Sequence, residues 1–194
     1  GRTDAGVHAT GQVAHFSAKW GYSPSDLLRA CNALLPDDIS FRFLQPVPEG
    51  FHARYSARSK TYVYVILNRS IRCPLQRFYA WHLPQPLDID SMVEATQHLI
   101  GTHDFATFGS PTDGTPSTVR QILSAKWDAG KEGILRFTIR GTGFLRYMVR
   151  SIIGTLVLVG RRKIDPTEFQ EILSSCQRAK SGPTAPAHGL CLTS

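Results

Sequence analysis

The strongest constraint on the fold is a long apolar segment near the end of the chain, residues 143–160. Its apolar residues recur at helical spacing, which predicts a helix buried on most of its sides. Arg146 and Arg150 are four residues apart, so we expect them to share one face of this helix. An unpaired buried charge is very unfavourable. The segment therefore needs a surrounding core and also an acidic group from elsewhere in the chain.

The acid that we choose as the partner is Asp4, in the opening loop, residues 1–9 (GRTDAGVHA). Asp4 is the first carboxylate of the chain and follows Arg2 by two residues, and Gly6 allows the backbone to turn sharply. A nearby cation favours the ionised form, so we expect an exposed, charged acid that can act as a nucleophile or an anionic partner. Spacing alone favours an ordinary turn in which the aspartate caps backbone amides.

The charge of the chain points to a polyanionic partner. The net charge is +7, and two long segments, residues 51–87 and 133–164, contain Lys and Arg but no Asp or Glu. A phosphate backbone is the natural counter-charge for such segments, and its binding weakens as salt rises. A generic basic surface remains the alternative for either segment taken alone.

The first part of the chain predicts a strand, a helix and a second strand, an α+β order. The strands are expected at residues 12–18 and 39–43, where apolar residues alternate. The helix is expected after Ser23 and Pro24, and Pro36 ends it. The Pro- and Gly-rich segment 45–50 is the best linker candidate.

The segment from Lys60 to Leu67 predicts a strand that places Lys60, Tyr62 and Tyr64 on one face. Aromatic rings stack on unpaired bases and cations hold phosphates, so this face is a candidate RNA-binding surface. Packing against the core is the alternative, because Tyr is common in half-buried strands.

The remaining periodic segments complete an α+β fold. Helices are expected at residues 88–99 and 165–176, and strands at 78–82, 119–127, 134–139 and 190–192. His103 and Asp104 are adjacent, which could suggest acid–base chemistry, but neighbours on an extended segment point to opposite faces. We therefore predict a structural turn over residues 101–105.

The composition excludes several classes of protein. A hydrophobic content of 42% and a charged content of 19% argue against disorder, and the longest strongly apolar run, residues 152–159, is too short to cross a bilayer. The four cysteines form no C-x-x-C pair, which argues against a zinc site. Buried, reduced thiols and a cytoplasmic location are expected.

Seven motifs in one order along nearly the whole chain resemble the bacterial tRNA pseudouridine synthase A family. They are GRTDAGVHA, LPDDI, FHAR, KTYVY, GTHDF, FLRYMVR followed by IIG, and APAHGL. One short motif could arise by chance, whereas seven in order are specific. The V-H step after Gly6 is more similar to bacterial than to eukaryotic members.

The resemblance implies an isomerase without a cofactor or metal, which converts uridine to pseudouridine in the anticodon stem-loop of tRNA, at tRNA positions 38–40. Asp4 matches the catalytic aspartate, and Arg150 matches the arginine that pairs with it. Tyr62 matches the tyrosine that contacts the flipped uracil, and it is a candidate for handling the C5 proton. Arg2 stands where a side chain enters the RNA to help extrude the nucleotide, a step needed because stacking hides the glycosidic bond.

The resemblance also implies two similar ferredoxin-like α+β halves, whose antiparallel sheets form a basic central cleft, in a cytoplasmic homodimer that binds tRNA rather than DNA or a membrane. We expect an N-terminal half at residues 1–50, carrying the opening loop, and a C-terminal half at 51–194. Relatives carry a strand with a Y-D-G-type motif and a helix before the loop. We therefore expect an N-terminally truncated chain with an incomplete first half and an exposed sheet edge.

Two other functions remain as alternatives. A non-catalytic tRNA-binding module or chaperone would use the basic strands and ignore Asp4, giving salt-sensitive binding without pseudouridine. A structural domain with incidental charges would not bind RNA even at low salt.

Overall fold

The computed structural model describes residues 1–111 and 116–194, which form two compact units. The first unit consists of Gly1 and Val13–Ala57. The second unit consists of Arg2–Gln12 and Arg58–Ser194, so most of the opening loop belongs to the second unit.

The first unit contains one helix, α1 (Pro24–Leu34), as predicted. The side chain of Ser23 accepts from the amide of Asp26, the Asp26 carboxylate accepts from the amide of Ser23, and Pro24 occupies the first turn. This capping box satisfies amides that the helix leaves free. None of the residues of α1 is fully buried.

The two strands predicted in the first part of the chain are wrong. Residues 12–18 are exposed, and in the described structure they belong to no sheet. At residues 39–43 the side-chain amide of Asn32 takes the place of a partner strand, because it bonds to both the amide and the carbonyl of Phe41. Apolar alternation cannot form a strand without a neighbouring strand to accept its backbone hydrogen bonds.

The second unit is built on a seven-stranded sheet. Its strands are β1 (His8–Ala9), β2 (Lys60–Asn68), β3 (Trp81–Leu83), β4 (Gly101–Asp104), β5 (Val119–Ala129), β6 (Ile134–Gly141) and β7 (Leu190–Leu192). The order is β1-β7-β2-β6-β5-β4, and β3 also pairs with β2, at Ile66–Asn68. The structure therefore confirms a mixed α+β architecture.

The sheet is mixed rather than purely antiparallel, which corrects the prediction. β1 pairs with β7 and β3 pairs with β2 in parallel, whereas the other pairs are antiparallel. Parallel neighbours cannot be joined by a tight hairpin. The β1–β7 pair needs no hairpin, because β1 lies near the start of the chain and β7 near its end.

Three helices pack with one face of the sheet to form the core: α2 (Ile89–Gln97), α3 (Met148–Gly160) and α4 (Pro166–Ser174). The structure confirms all three predicted helices. Asp165 and Glu168 form a capping box at α4, and Asp88 caps α2. The largest fully buried side chains include Tyr64, Phe105, Phe108, Phe137, Phe169 and Met92.

Helix α3 begins at Met148 rather than at the predicted residue 143. Tyr147 precedes it with a left-handed backbone, φ 64°, which interrupts the helical path. Arg146 therefore lies outside the helix, and the prediction that it shares a helix face with Arg150 is wrong. Its amide and carbonyl instead bond to Ser110.

Strands β2, β5, β6 and β7 are confirmed, and β5 and β6 form the predicted hairpin. β3 begins at Trp81, later than predicted. The turn predicted at residues 101–105 is wrong, because β4 pairs with β5 there. Local spacing missed β4 because its partner lies further along the chain.

Two further findings concern the chain as a whole. The four cysteines are free thiols, but Cys176 is exposed and the other three are half-buried, so the prediction of buried thiols is wrong. Within residues 1–111 and 116–194, no helix has the length and apolar character needed to span a membrane.

Candidate active site

The centre of the candidate site is an ion pair between the opening loop and α3. The Arg150 guanidinium donates to the Asp4 carboxylate at 3.0 Å, from Nη1 to Oδ2. The two side chains are only 15% and 18% exposed, respectively. Asp4 was expected to be exposed beside Arg2, but it is largely buried against Arg150, the partner that the buried-helix argument predicted.

The opening loop holds Asp4 through its main chain. The amide of Val7 donates to the carbonyl of Asp4 at 3.1 Å, and Gly6 between them has φ +77°. Glycine reaches this conformation without strain. Because the main chain closes the turn, the carboxylate of Asp4 is left to bind Arg150 instead of capping amides.

The end of the loop is attached to the sheet. Val7 packs against the core, and His8–Ala9 forms β1, the parallel partner of β7. The amide of Thr10 then donates to the carbonyl of Leu192 at 2.9 Å. These contacts fix the path of the loop after its turn.

Arg150 is held in place by the segment before β7. Its Nε donates to the carbonyl of Ala185 at 2.8 Å, and the amide of Ala185 donates back to the carbonyl of Arg150 at 3.0 Å. The guanidinium also lies 5.4 Å from the centre of the Tyr147 ring. The side chain is therefore aimed by bonds other than the one to Asp4, as a preorganised cation requires.

Residues 185–188 connect several parts of the site, and sequence reasoning missed this role. Tyr64 donates its hydroxyl proton to the carbonyl of Pro186 at 2.9 Å. A Cβ at Gly6 would lie 3.3 Å from that of Ala187, and His188 Nε2 lies 3.2 Å from the carbonyl of Ala80. The signal in the sequence was the APAHGL motif, whose small residues allow this close approach.

Tyr62 lies in β2 beside the ion pair and is almost fully buried, with 9% of its surface exposed. Burial, and to a smaller extent the charge of Asp4, raise the pKa of Tyr62 to about 12. Its ring meets that of Phe144 edge to face at 5.1 Å. The phenol is therefore neutral at pH 7 and stands within the electrostatic influence of Asp4.

The burial of Tyr64 tests the two interpretations of its face of β2, an RNA-binding surface or packing against the core. It is fully buried, and this burial raises its pKa while the charge of Arg150 opposes the rise. A Cβ at Gly189 would lie 2.6 Å from its ring, which shows how closely the ring is enclosed. A stacking surface that includes Tyr64 is therefore wrong, and the packing alternative holds for this residue.

The other candidate residues lie outside the ion pair. Arg2 is exposed. Arg146 is also exposed, and it donates to the hydroxyl of Tyr147 at 2.7 Å. In the part of the chain that the structure describes, no group of three or more His, Cys, Asp or Glu residues is placed to hold a metal ion.

Comparison with known proteins agrees with the motifs. A family profile described as tRNA pseudouridine synthase matches residues 95–194. The tRNA pseudouridine synthase A of Bdellovibrio bacteriovorus is 43% identical over 195 residues, covering 99% of this chain and 74% of that protein. Its counterpart in Thermoanaerobacter pseudethanolicus is 44% identical over 191 residues, covering 98% of this chain and 78% of the relative.

The same relationship extends to Bacillus subtilis, whose tRNA pseudouridine synthase A is 43% identical over 192 residues, covering 99% of this chain and 77% of the relative. Each of these matches spans nearly the whole of this chain. This chain belongs to the tRNA pseudouridine synthase A family.

Proposed function

We propose that this protein is an isomerase that converts uridine to pseudouridine in the anticodon stem-loop of tRNA, at tRNA positions 38–40, with Asp4 as the catalytic residue. The observation that carries the proposal is the Asp4 carboxylate held 3.0 Å from Arg150 in a largely buried setting. Binding of RNA alone needs no carboxylate, because a carboxylate repels the phosphate backbone.

The reaction breaks the C1′–N1 bond, turns the base and joins C1′ to C5, after which the C5 proton is lost and N1 gains one. Asp4 supplies the nucleophilic carboxylate, whether it attacks the ribose or the base. Arg150 provides the fixed counter-charge that orients it.

Tyr62 contacts the uracil as a neutral phenol in this proposal. A general base works best with a pKa near the working pH, and the pKa of Tyr62 is about 12. This favours Tyr62 as a contact to the base over Tyr62 as the acceptor of the C5 proton.

Arg2 assists extrusion of the nucleotide. Its exposure leaves the side chain available to enter the RNA, and a stacked uridine must leave the helix before its glycosidic bond can be reached. Arg2→Ala should therefore weaken turnover on structured tRNA more than on an unpaired substrate.

We also propose the larger assembly that the family implies. An N-terminal half, residues 1–50, and a C-terminal half, residues 51–194, divide the chain at its Pro- and Gly-rich linker, a division separate from the packing units described above. Two similar ferredoxin-like halves form a basic cleft in a cytoplasmic homodimer. The two acid-free basic segments support the cleft, because tRNA needs a cationic surface.

The experiment is release of tritium from tRNA labelled at uracil C5, measured with the full-length protein. We expect Asp4→Asn to lower the single-turnover rate on the order of 10³-fold or more. Asp128→Asn is the matched control, since this carboxylate is 52% exposed and pairs with Lys126. Normal turnover by Asp4→Asn would show that the catalytic assignment is wrong.

The same experiment tests the non-catalytic alternative, which the two basic segments favour. A wild-type protein that binds tRNA in a salt-sensitive way but releases no tritium would be a binding module or chaperone. Absence of binding at low salt would leave only a structural domain.

A further inference from the structure

The loop between β2 and β3, residues 70–79, exposes an unusual set of side chains; we call it the basic aromatic loop. Ile71, Leu75, Phe78 and Tyr79 are 75%, 86%, 57% and 61% exposed, respectively. Arg72 and Arg77 are also exposed, and the loop lies in the acid-free segment 51–87. Large apolar patches on a surface mark places where a partner binds.

The basic aromatic loop is fastened to the opening loop. His8 Nε2 lies 2.7 Å from the carbonyl of Phe78, and the rings of His8 and Tyr79 are stacked with centres 4.9 Å apart and planes at 30°. His8 follows Asp4 by four residues. Tyr79 is thereby held beside the loop that carries the catalytic aspartate.

The cation next to these rings is also prearranged. The Arg77 guanidinium lies 4.2 Å from the centre of the Phe78 ring, and its Nη1 donates to the carbonyl of Pro74 at 3.1 Å. A cation already ordered against a ring loses less freedom when it binds an anion. Arg77, Phe78 and Tyr79 thus present one positive charge and two rings on consecutive residues.

We propose that the basic aromatic loop is a second RNA-contact surface, on which Tyr79 stacks an unpaired base and Arg77 holds a phosphate next to it. This inference rests on the proposed function and extends it to a particular part of the substrate, a strand that passes the opening loop. Stacking on aromatic side chains combined with backbone contacts is the usual way in which proteins hold unpaired RNA.

RNA is favoured over a protein partner by charge. The loop carries cations without an acid, and the whole chain has a net charge of +7, so a second copy of the chain repels the loop on average. A polyanion is attracted to it, and its binding depends on salt.

The test measures binding of an unmodified tRNA transcript to the full-length protein, together with tritium release in single-turnover reactions. Tyr79→Ala should raise the Kd about tenfold, because one stacked base is lost. Tyr79→Phe keeps the ring and should restore the affinity to within about twofold. The effect of Tyr79→Ala on Kd should exceed its effect on the rate at saturating tRNA.

The proposed contact of Arg77 with a phosphate is tested by the salt dependence of binding. Arg77→Ala should lower the slope of log Kd against log salt by about one. Lys180→Ala is the control, since this exposed cation lies outside both acid-free segments. It should leave Kd, salt slope and rate as they are.

Three outcomes overturn the inference. The first is an unchanged Kd for Tyr79→Ala, and the second is a loss of rate without a loss of binding, which would make Tyr79 only a support for His8. The third is a change of oligomeric state on Ile71→Ala or Leu75→Ala while tRNA affinity stays constant, which would identify a protein contact.

Failure of the proposed function is distinguishable from failure of this inference. If the wild-type protein releases no tritium, the proposed function fails, while weaker binding by Tyr79→Ala still supports the loop. If Asp4→Asn abolishes turnover and Tyr79→Ala binds normally, the loop inference fails alone.

Discussion

Helices α1 and α3 are stabilised in opposite ways. Helix α1 has a capping box, a proline in its first turn and an acidic residue near its N-terminus, yet none of its residues is fully buried. Helix α3 has no side-chain cap and begins after a left-handed tyrosine, yet eleven of its 13 residues are buried. Local signals mark where a helix begins, whereas packing fixes the direction in which its side chains point. Arg150 needs that fixed direction, and it lies on α3.

The largest expected effect on stability comes from shortening a leucine on α3, compared with shortening a leucine on α1. Leu156 on α3 is fully buried, and Leu156→Ala should lower the free energy of unfolding by about 2–5 kcal/mol, since it leaves a cavity in the core. Denaturant unfolding of the second unit, followed by near-UV circular dichroism, measures this loss.

The matched control is Leu34→Ala on α1, where the leucine is 88% exposed. This substitution should change the free energy of unfolding by less than about 0.5 kcal/mol. Equal losses of unfolding free energy for the two variants would mean that α1 and α3 do not differ in how much burial stabilises them.

The second comparison is between two ion pairs. Arg150→Met leaves the Asp4 carboxylate largely buried without its counter-charge, and we expect a loss of about 2–3 kcal/mol, less than for a fully buried pair because both side chains are partly exposed. Thermal unfolding measures the loss, and tritium release should fall with it.

Arg29→Met on α1 removes the exposed partner of Asp26 and should leave unfolding and turnover nearly unchanged. A double-mutant cycle with Asp4→Asn and Arg150→Met completes the test. A coupling energy near zero would contradict the view that Arg150 positions Asp4.

The raised pKa of the buried Tyr62 phenol predicts a loss of stability at alkaline pH. The pKa of Tyr62 rises from 10.0 to about 12, so the folded protein keeps a proton that the unfolded chain loses in this range. Its contribution to the free energy of unfolding is complete below pH 10 and declines as pH rises towards 12, by an amount on the order of 2 kcal/mol. In urea titrations between pH 10 and pH 12, the free energy of unfolding of Tyr62→Phe should fall less steeply than that of the wild type. An identical fall would contradict the assignment of this pH dependence to Tyr62.

The smallest effect is expected at the cap of α1. Ser23→Ala removes the oxygen that accepts from the amide of Asp26 and should cost about 1 kcal/mol of local helix stability. Hydrogen exchange of the amides in the first turn of α1 should accelerate, while the amides of α3 should exchange as before. Faster exchange in α3 would show that the two helices unfold together.

Much of the second unit was predictable because its patterns are strong. The alternation in β2, β5 and β6 and the capping residues of α2 and α4 depend on neighbours in the chain, and they predicted those elements correctly. Strand β4 was missed and residues 12–18 were overpredicted for the same reason. A strand exists only where another strand accepts its backbone bonds, and spacing does not reveal whether such a partner is present.

The candidate site likewise contains residues that were predictable from the sequence and residues that were not. A buried helix with an arginine required an acid, and that requirement together with the family motifs selected Asp4 and Arg150 before any distance was known. The APAHGL motif contains Ala185, Pro186 and His188 but does not reveal their contacts. Ala185 and Pro186 act through main-chain carbonyls, and His188 acts through its ring nitrogen on the carbonyl of Ala80.

The sequence by itself determined the α+β character and most of the helices, because local periodicity favours these elements. The cost of an unpaired buried charge required an acidic partner for Arg150, for which Asp4 was chosen, and the resemblance of seven ordered motifs indicated the family. Tertiary structure alone decided that the opening loop joins the second unit through β7 and that Tyr64 is packed inside. It also made α3 begin at Met148, directly after the left-handed Tyr147. These features depend on contacts between residues far apart in the chain, where backbone bonds and close packing choose among locally allowed conformations.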